Sequence, residues 1–409
     1  MGGGRRAGLD GDGAVTPSSG PPGWRWIASQ RDFDAFLDAA SGCEAFALDT
    51  EFHRERTYYA HLALLQLATP DDVVVVDPLA LDVAPLRSLL DSEAICIMHA
   101  ASQDLEILER SCGVVPRRLV DTQIAAGFVG LGAPGLGILL QRRLNVHLPK
   151  ADRLTDWLRR PLGDDALSYA AADVAYLHDL WASLSSELDE RGRLQWTLDE
   201  CDEARDRHRQ PADPETAWWR IKEARRLKGR ARGVAQSVAG WRERRARMLD
   251  RPVRHVLPDL AVVAMAERPP RSRADLARVR GLDGRHTRGG AADELLAAVA
   301  AGSSLDVDEL RLPPRDGVDS TYRPAVTLAS AYVSQLARDE DLDASLVATR
   351  ADIEALVRQD GTSRLLEGWR KDVAGAPVQQ LLEGDLALAF DGEGSLVLEA
   401  RSHRPPPGS

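Results

Sequence analysis

Apolar residues in the first half of the chain fall in short runs between polar turns, the mark of buried strands. In the second half they recur at three- and four-residue spacing, the mark of helices. WRWI, residues 24–27, reads as a first strand, and Ser29 as the cap of a helix over DFDAFLDAA. Strands follow at 45–48, running into Asp49 and Glu51, at 62–68 (LALLQLA) and at 73–77 (VVVVD). Three strands in such close succession predict an antiparallel or mixed start to a sheet. Residues 83–90 read as a helix, 94–99 as a buried strand, and Ser102 as the cap of a helix over QDLEILERS. Residues 119–121 form a short expected strand whose Asp121 caps TQIAAGFVG. The following GLGAPG matches G-x-G-x-x-G, but it follows a helix and contains Pro134, so it reads as a helix–helix connection and not a dinucleotide site. One long helix is expected over 164–192, with Leu167, Ala171, Val174, Leu177, Trp181, Leu184 and Leu188 as its buried stripe. Residues 211–300 read as helices only, 302–323 as a polar linker, and 324–388 as a second helical unit.

Composition sets the outer limits. At 409 residues, 44% hydrophobic, the chain is too long for one core and implies two or three domains. Its four cysteines are scattered without C-x-x-C pairing, which fits a reducing, cytoplasmic setting. No apolar run approaches the ~20 residues that span a bilayer, and the N-terminus has no apolar signal core. Residues 1–23 and 401–409 are expected to be disordered. The net charge of −11 hides an asymmetry, because residues 201–290 hold 23 Lys and Arg against 12 Asp and Glu. An acidic body with a basic segment is suited to holding phosphates on that segment.

Candidate chemistry begins at Asp49 and Glu51. Alternate strand residues point the same way, so both carboxylates enter one small volume. A hard divalent cation, magnesium or manganese, would let both stay charged. Alone, such a pair is more often a solvated one. Asp104 alone reads as a dipole-compensating acid at a helix start. Tyr169 and Asp173, spaced i, i+4, share a helix face and alone could be ordinary surface residues.

Together the pieces resemble one family. Asp49-x-Glu51 on a strand, Asp104 after a strand and Tyr169-x-x-x-Asp173 on a helix resemble the three motifs of the DEDDy exonucleases. DTEFHRERTYY, HAASQDLEIL and TDWLRRPLGDDALSYAAADVAYL are similar to ribonuclease D over residues 24–200. Ala60 departs from the proline common at that position, which touches only the local loop. The resemblance implies an α/β exonuclease domain, a ribonuclease H-like mixed sheet flanked by helices, over residues 24–205. WRERRA at 241–246 and RPVRHVLPD at 251–259 resemble the helical HRDC nucleic-acid-binding module, expected over 211–300. A linker at 301–323 and a second HRDC-like domain at 324–400 complete an expected α/β domain with two all-α HRDC-type domains.

The resemblance also implies a mechanism. Asp49, Glu51, Asp104 and Asp173 would hold two divalent metal ions, Mg2+ or Mn2+, with Tyr169 orienting the attacking water. Nucleoside 5′-monophosphates would leave from an RNA 3′ end, in tRNA precursors or other structured RNA. His53, Arg56, Tyr58, Lys150, Arg153 and Trp157 are candidate contacts to the terminal strand. Arg225, Arg226, Arg230, Arg232 and the arginines at 244, 245 and 247 are candidate phosphate contacts, the alternative being a solvated helical face. Trp218, Trp219 and Trp241 read as helix packing in preference to base-stacking platforms. Two other functions fit the same residues: a non-catalytic RNA-binding scaffold, and a 3′→5′ exonuclease acting on DNA. RNA over DNA rests on the resemblance.

Overall fold

The computed structural model describes residues 23–148, 155–208, 213–284, 286–313 and 317–402. Expectations placed on residues 1–22, 403–409, Lys150 and Arg153 lie outside them. The centre of the chain is a six-stranded mixed sheet of β1 (Arg25–Ile27), β2 (Ala45–His53), β3 (His61–Ala68), β4 (Val73–Val76), β5 (Ile95–Met98) and β6 (Arg118–Asp121). The strand order is β1-β4-β3-β2-β5-β6, which puts the acid-bearing β2 inside the sheet. β2 and β3, and β3 and β4, pair antiparallel, while β2–β5, β5–β6 and β1–β4 pair parallel.

Alternation along β2 decides which residues face which layer. Phe46 and Leu48 join the core under α1 (Gln30–Ala40), α2 (Arg87–Leu90) and α3 (Ser102–Cys112). Ala47 joins the opposite core, under α4 (Thr122–Phe128), α5 (Leu136–Leu144), α6 (Asp164–Ala175) and α7 (Leu177–Glu190). By the same two-residue period Asp49 and Glu51 go with Ala47, toward α6, and Thr50 goes with Leu48, toward α3.

The expected single helix over 164–192 is two helices, broken at Tyr176 (φ −113°, ψ 3°). The apolar period runs unbroken through the break and masks it. Ser102 is the first helical residue, not the cap; Ala101 precedes it, and Ala100 takes a left-handed turn with φ 58°. Ser29 and Asp121 do cap their helices, and residues 130–135 do connect two helices.

After α8 (Leu194–His208) comes a second unit with its own core: α9 (Arg230–Leu249), α10 (Val253–Val256), α11 (Asp259–Glu267), α12 (Arg273–Leu276) and α13 (Gly289–Ser304). The expected helix around AWWRIKEARRL is instead two 3-10 turns, Pro214–Arg220 and Ala224–Arg226. Trp218 and Trp241 are buried in this core and Trp219 packs against it, as read from the sequence. Both Trp218 and Trp219 donate their indole N–H to the Arg311 carbonyl, tying the following segment to this unit.

The C-terminal unit has α14 (Arg323–Asp339), α15 (Ala344–Val347), α16 (Arg350–Arg358), α17 (Gly368–Arg370) and α18 (Ala376–Glu383). It is not all-α. β7 (Leu386–Phe390) and β8 (Leu396–Ala400) pair as a hairpin, whose turn is set by Asp391 accepting from the N–H groups of residues 393–395. Nor is its core its own, since Val326, Ala329, Val333 and Trp369 belong to the same cluster as Ala47 and Phe128.

Candidate active site

α6 lies over the β2 face that carries Asp49 and Glu51 and presents Asp173 and, one turn earlier, Tyr169. One carboxylate oxygen from each of Asp49, Glu51 and Asp173 can be chosen so that all three lie within 4.8 Å of one another. Asp104 arrives from the other side of the sheet on α3 and is held by the hydroxyl of Thr50. All four acids and Tyr169 line one pocket of about 280 Å³, together with Thr50, His99 and Gln103.

Asp104 reaches this pocket because of the turn before its helix. Asp121 accepts from the N–H groups of Ala100 and Ala101, at 2.9 Å each, and also caps α4 through Gln123 N–H at 2.8 Å. One carboxylate therefore fixes the start of two helices, and α3 enters at the angle that brings Asp104 toward Thr50. Thr50 and Asp121 were not singled out in the sequence as parts of this site. The strand alternation that sends Thr50 to the α3 face was nevertheless visible there.

Crowding four acids has an electrostatic consequence. Burial, followed by the charges of Asp173, Asp104 and Glu51, pushes Asp49 well above the usual carboxylate range. Burial and the Asp104 charge raise Glu51 to about 7. Burial and the Glu51 charge raise Asp173 to about 8, against the opposing pull of the Tyr169 hydroxyl. Asp104 rises to about 6 through burial, with the Thr50 hydroxyl opposing it. Tyr169 is pushed upward by burial and by Asp173, Glu51 and Asp49, so it keeps its proton at neutral pH. Carboxylates that resist ionising side by side are relieved by a cation among them. Oxygen donors alone, at this spacing, suit a hard divalent ion.

The other candidate residues scatter. His53 ends β2 opposite His61, with Glu55 3.9 Å away. Tyr58 does not face the pocket: its hydroxyl donates to buried Glu243 at 2.5 Å and accepts from Arg247 at 2.9 Å, both on α9. Arg56 is exposed in a separate basic pocket. Trp157 packs against the large core. Arg225 donates to the Trp219 carbonyl and Arg232 to the Leu227 carbonyl at 2.7 Å, while Arg226 and Arg230 are exposed on the same segment. Among the described residues no helix is long and apolar enough to cross a membrane.

Comparison with known proteins places this arrangement. Residues 24–189 match the family model of 3′-5′ exonuclease domains, and residues 231–299 match the HRDC domain. The chain is 35% identical to ribonuclease D of Jannaschia sp. (strain CCS1), over 91% of its own length and 99% of that protein's. It is also 35% identical to ribonuclease D of Gluconacetobacter diazotrophicus, covering 93% and 98% respectively. Among solved structures, Escherichia coli RNase D, described as an exoribonuclease involved in structured RNA processing, matches with a TM-score of 0.78. That match has 32% identity and covers 89% of this chain and 99% of the other. With the acid cluster, the two domain matches and near-complete coverage of its relatives, the chain belongs to the ribonuclease D family.

Proposed function

We propose that this protein is a divalent-metal-dependent 3′→5′ exoribonuclease that releases nucleoside 5′-monophosphates from RNA 3′ ends. The observation that carries the reading is the convergence of Asp49, Glu51 and Asp173 within 4.8 Å, in one pocket with Asp104 and Tyr169. Asp49, Glu51, Asp104 and Asp173 would together hold two divalent ions, Mg2+ or Mn2+, with Asp49, Glu51 and Asp173 close enough to share one. Bound there, the ions would activate water and stabilise the departing 3′-oxygen. Asp104 stays oriented because Thr50 supplies a hydrogen bond to a charged group, worth about 1.5–3 kcal/mol. Tyr169, protonated at neutral pH in the metal-free site, is placed to orient the water by hydrogen bonding.

Structured RNA such as tRNA precursors is the substrate class that we favour. Family membership and the basic unit beside the exonuclease domain support it. We read residues 324–400 as a second HRDC-type unit, supported by its helical order, with packing as its main role because it shares the exonuclease core.

The test uses a 5′-labelled RNA, the same RNA with a 3′-phosphate, and a DNA of equal sequence. The reading expects a ladder shortening from the 3′ end of the first, a block on the second and slower cleavage of the third. Internal cuts, or DNA degraded faster than RNA, would contradict it.

A further inference from the structure

From the contact between the exonuclease and HRDC units we infer a second RNA site: a pocket that grips an internal phosphodiester of the strand being trimmed. This rests on the proposed function and names where the body of that substrate is held. The pocket, about 380 Å³, is lined by Arg56 from the β2–β3 connection and by Arg251, Arg254 and His255 at the start of α10. Asp283 and His286 close its far side.

Its assembly follows from specific contacts. Asp250, the left-handed cap of α9 (φ 46°), accepts from the N–H groups of Tyr58 and Tyr59 at 3.1 and 3.0 Å. Arg56 precedes Tyr58 by two residues and Arg251 follows Asp250 by one, so this clasp brings two guanidinium groups from different units together. Neither Arg56 nor Arg251 has an ion-pair partner among the described residues, and both are exposed. Arg254 lies 3.2 Å from Asp259, but that carboxylate is already neutralised by buried Arg242 at 2.6 Å, leaving the Arg254 charge in excess. The one acid of the lining, Asp283, sits 2.8 Å from His286, whose other nitrogen donates to the Val256 carbonyl at 2.6 Å. Three cationic forks around a polar hollow, with Asp259 taken by Arg242 and Asp283 the single acid of the lining, match the oxygens of a phosphodiester.

The location fits a strand and not a free anion. Arg56 is five residues from Glu51, so the two backbones are at most roughly 18 Å apart, and a few nucleotides bridge that gap. A strand whose 3′ end lies among the acids would lay an upstream phosphate in this hollow. The basic run at 225–232, in contrast, spends Arg225 and Arg232 partly on its own carbonyls.

The experiment compares wild type with Arg251→Glu and Arg251→Lys in the full chain, using single-stranded RNAs of 3 and 15 nucleotides with magnesium. For wild type, KM should be at least tenfold lower on the longer RNA. Arg251→Glu should remove most of that advantage without lowering kcat, and flatten the salt dependence of binding by about 0.7 in log–log slope, one phosphate contact. Arg251→Lys, which keeps the charge, should retain the slope. Equal KM ratios and slopes in wild type and Arg251→Glu would overturn the pocket while leaving the exonuclease reading intact. Failure of wild type to shorten either RNA would instead overturn that reading. Loss of binding to an acidic peptide, with RNA binding unchanged, would mark the hollow as a protein-docking site and refute the RNA assignment.

Discussion

Asp173 shows at residue scale why this site needs a cation. Its carboxyl is raised to about 8, Glu51 to about 7 and Asp104 to about 6, against ordinary values of 3.8, 4.5 and 3.8. The metal-free folded protein therefore holds protons that the unfolded chain has released. Its stability is highest below about pH 4 with respect to these groups and falls as pH rises through 6, 7 and 8. A bound divalent ion reverses that penalty. The thermal midpoint gained on adding magnesium should thus be larger at pH 8.5 than at pH 6, and an equal gain at both would mean that these acids are not the ligands. Tyr169 makes a smaller claim. Removing its hydroxyl in Tyr169→Phe should slow single-turnover cleavage on the order of 10²-fold and leave magnesium affinity unchanged. A wild-type rate would make the residue structural. Of this site, the acids and the tyrosine were legible because each lies in a motif of fixed spacing. Thr50 and Asp121 were not, because their work depends on which helix lies across the sheet, a contact some 50 residues or more away in the chain for Thr50 and Asp104.

At the scale of elements, the β2–β3 connection serves two units at once. It leaves the acid strand, carries Arg56, and then hands Tyr58 and Tyr59 to the end of α9, where Asp250 accepts both N–H groups. These hydrogen bonds hold Asp250 below the usual carboxylate range, the Tyr59 N–H most of all. Asp250→Gly separates two effects, since glycine suits the left-handed cap but accepts nothing. The amides of Tyr58 and Tyr59 should then exchange at least tenfold faster while those of β3 stay protected. Unchanged exchange would mean that the clasp is incidental. No local sequence signal pairs residue 58 with residue 250, so the contact was illegible, and Tyr58 read as a strand contact. The hairpin β7–β8 is a different kind of miss. LALAF, DGEG and LVLEA carry alternation and a turn, but LALAF follows α18 after only two residues, so its apolar positions continue the helical spacing. The break at Tyr176 was hidden because both helices bury the same apolar stripe.

For the whole molecule, the exonuclease and C-terminal units behave as one body. Trp369 stacks on Trp196 at 5.3 Å and meets Phe128 edge-on at 5.1 Å, while Arg370 pairs with buried Glu200. Trp369→Ala should cost about 3–5 kcal/mol and loosen amide exchange in α4 together with the C-terminal helices. Protection unchanged in α4 would show two independent units. The HRDC unit has its own core and touches the exonuclease through the clasp, with the basic hollow at the junction of the two. Domain order was readable from apolar period and motif, whereas the sharing of one core between distant segments was not. The central claim, that the acid cluster performs metal-dependent trimming from the 3′ end, is tested most directly by single-turnover cleavage of 5′-labelled RNA across a magnesium titration. Wild type and Asp173→Asn should be compared, with folding of both checked by circular dichroism. The account predicts a 3′-shortened ladder that requires magnesium in wild type, and less than a tenth of that rate in Asp173→Asn even at saturating metal. Cleavage without divalent ions, or an Asp173→Asn rate close to wild type, would contradict it.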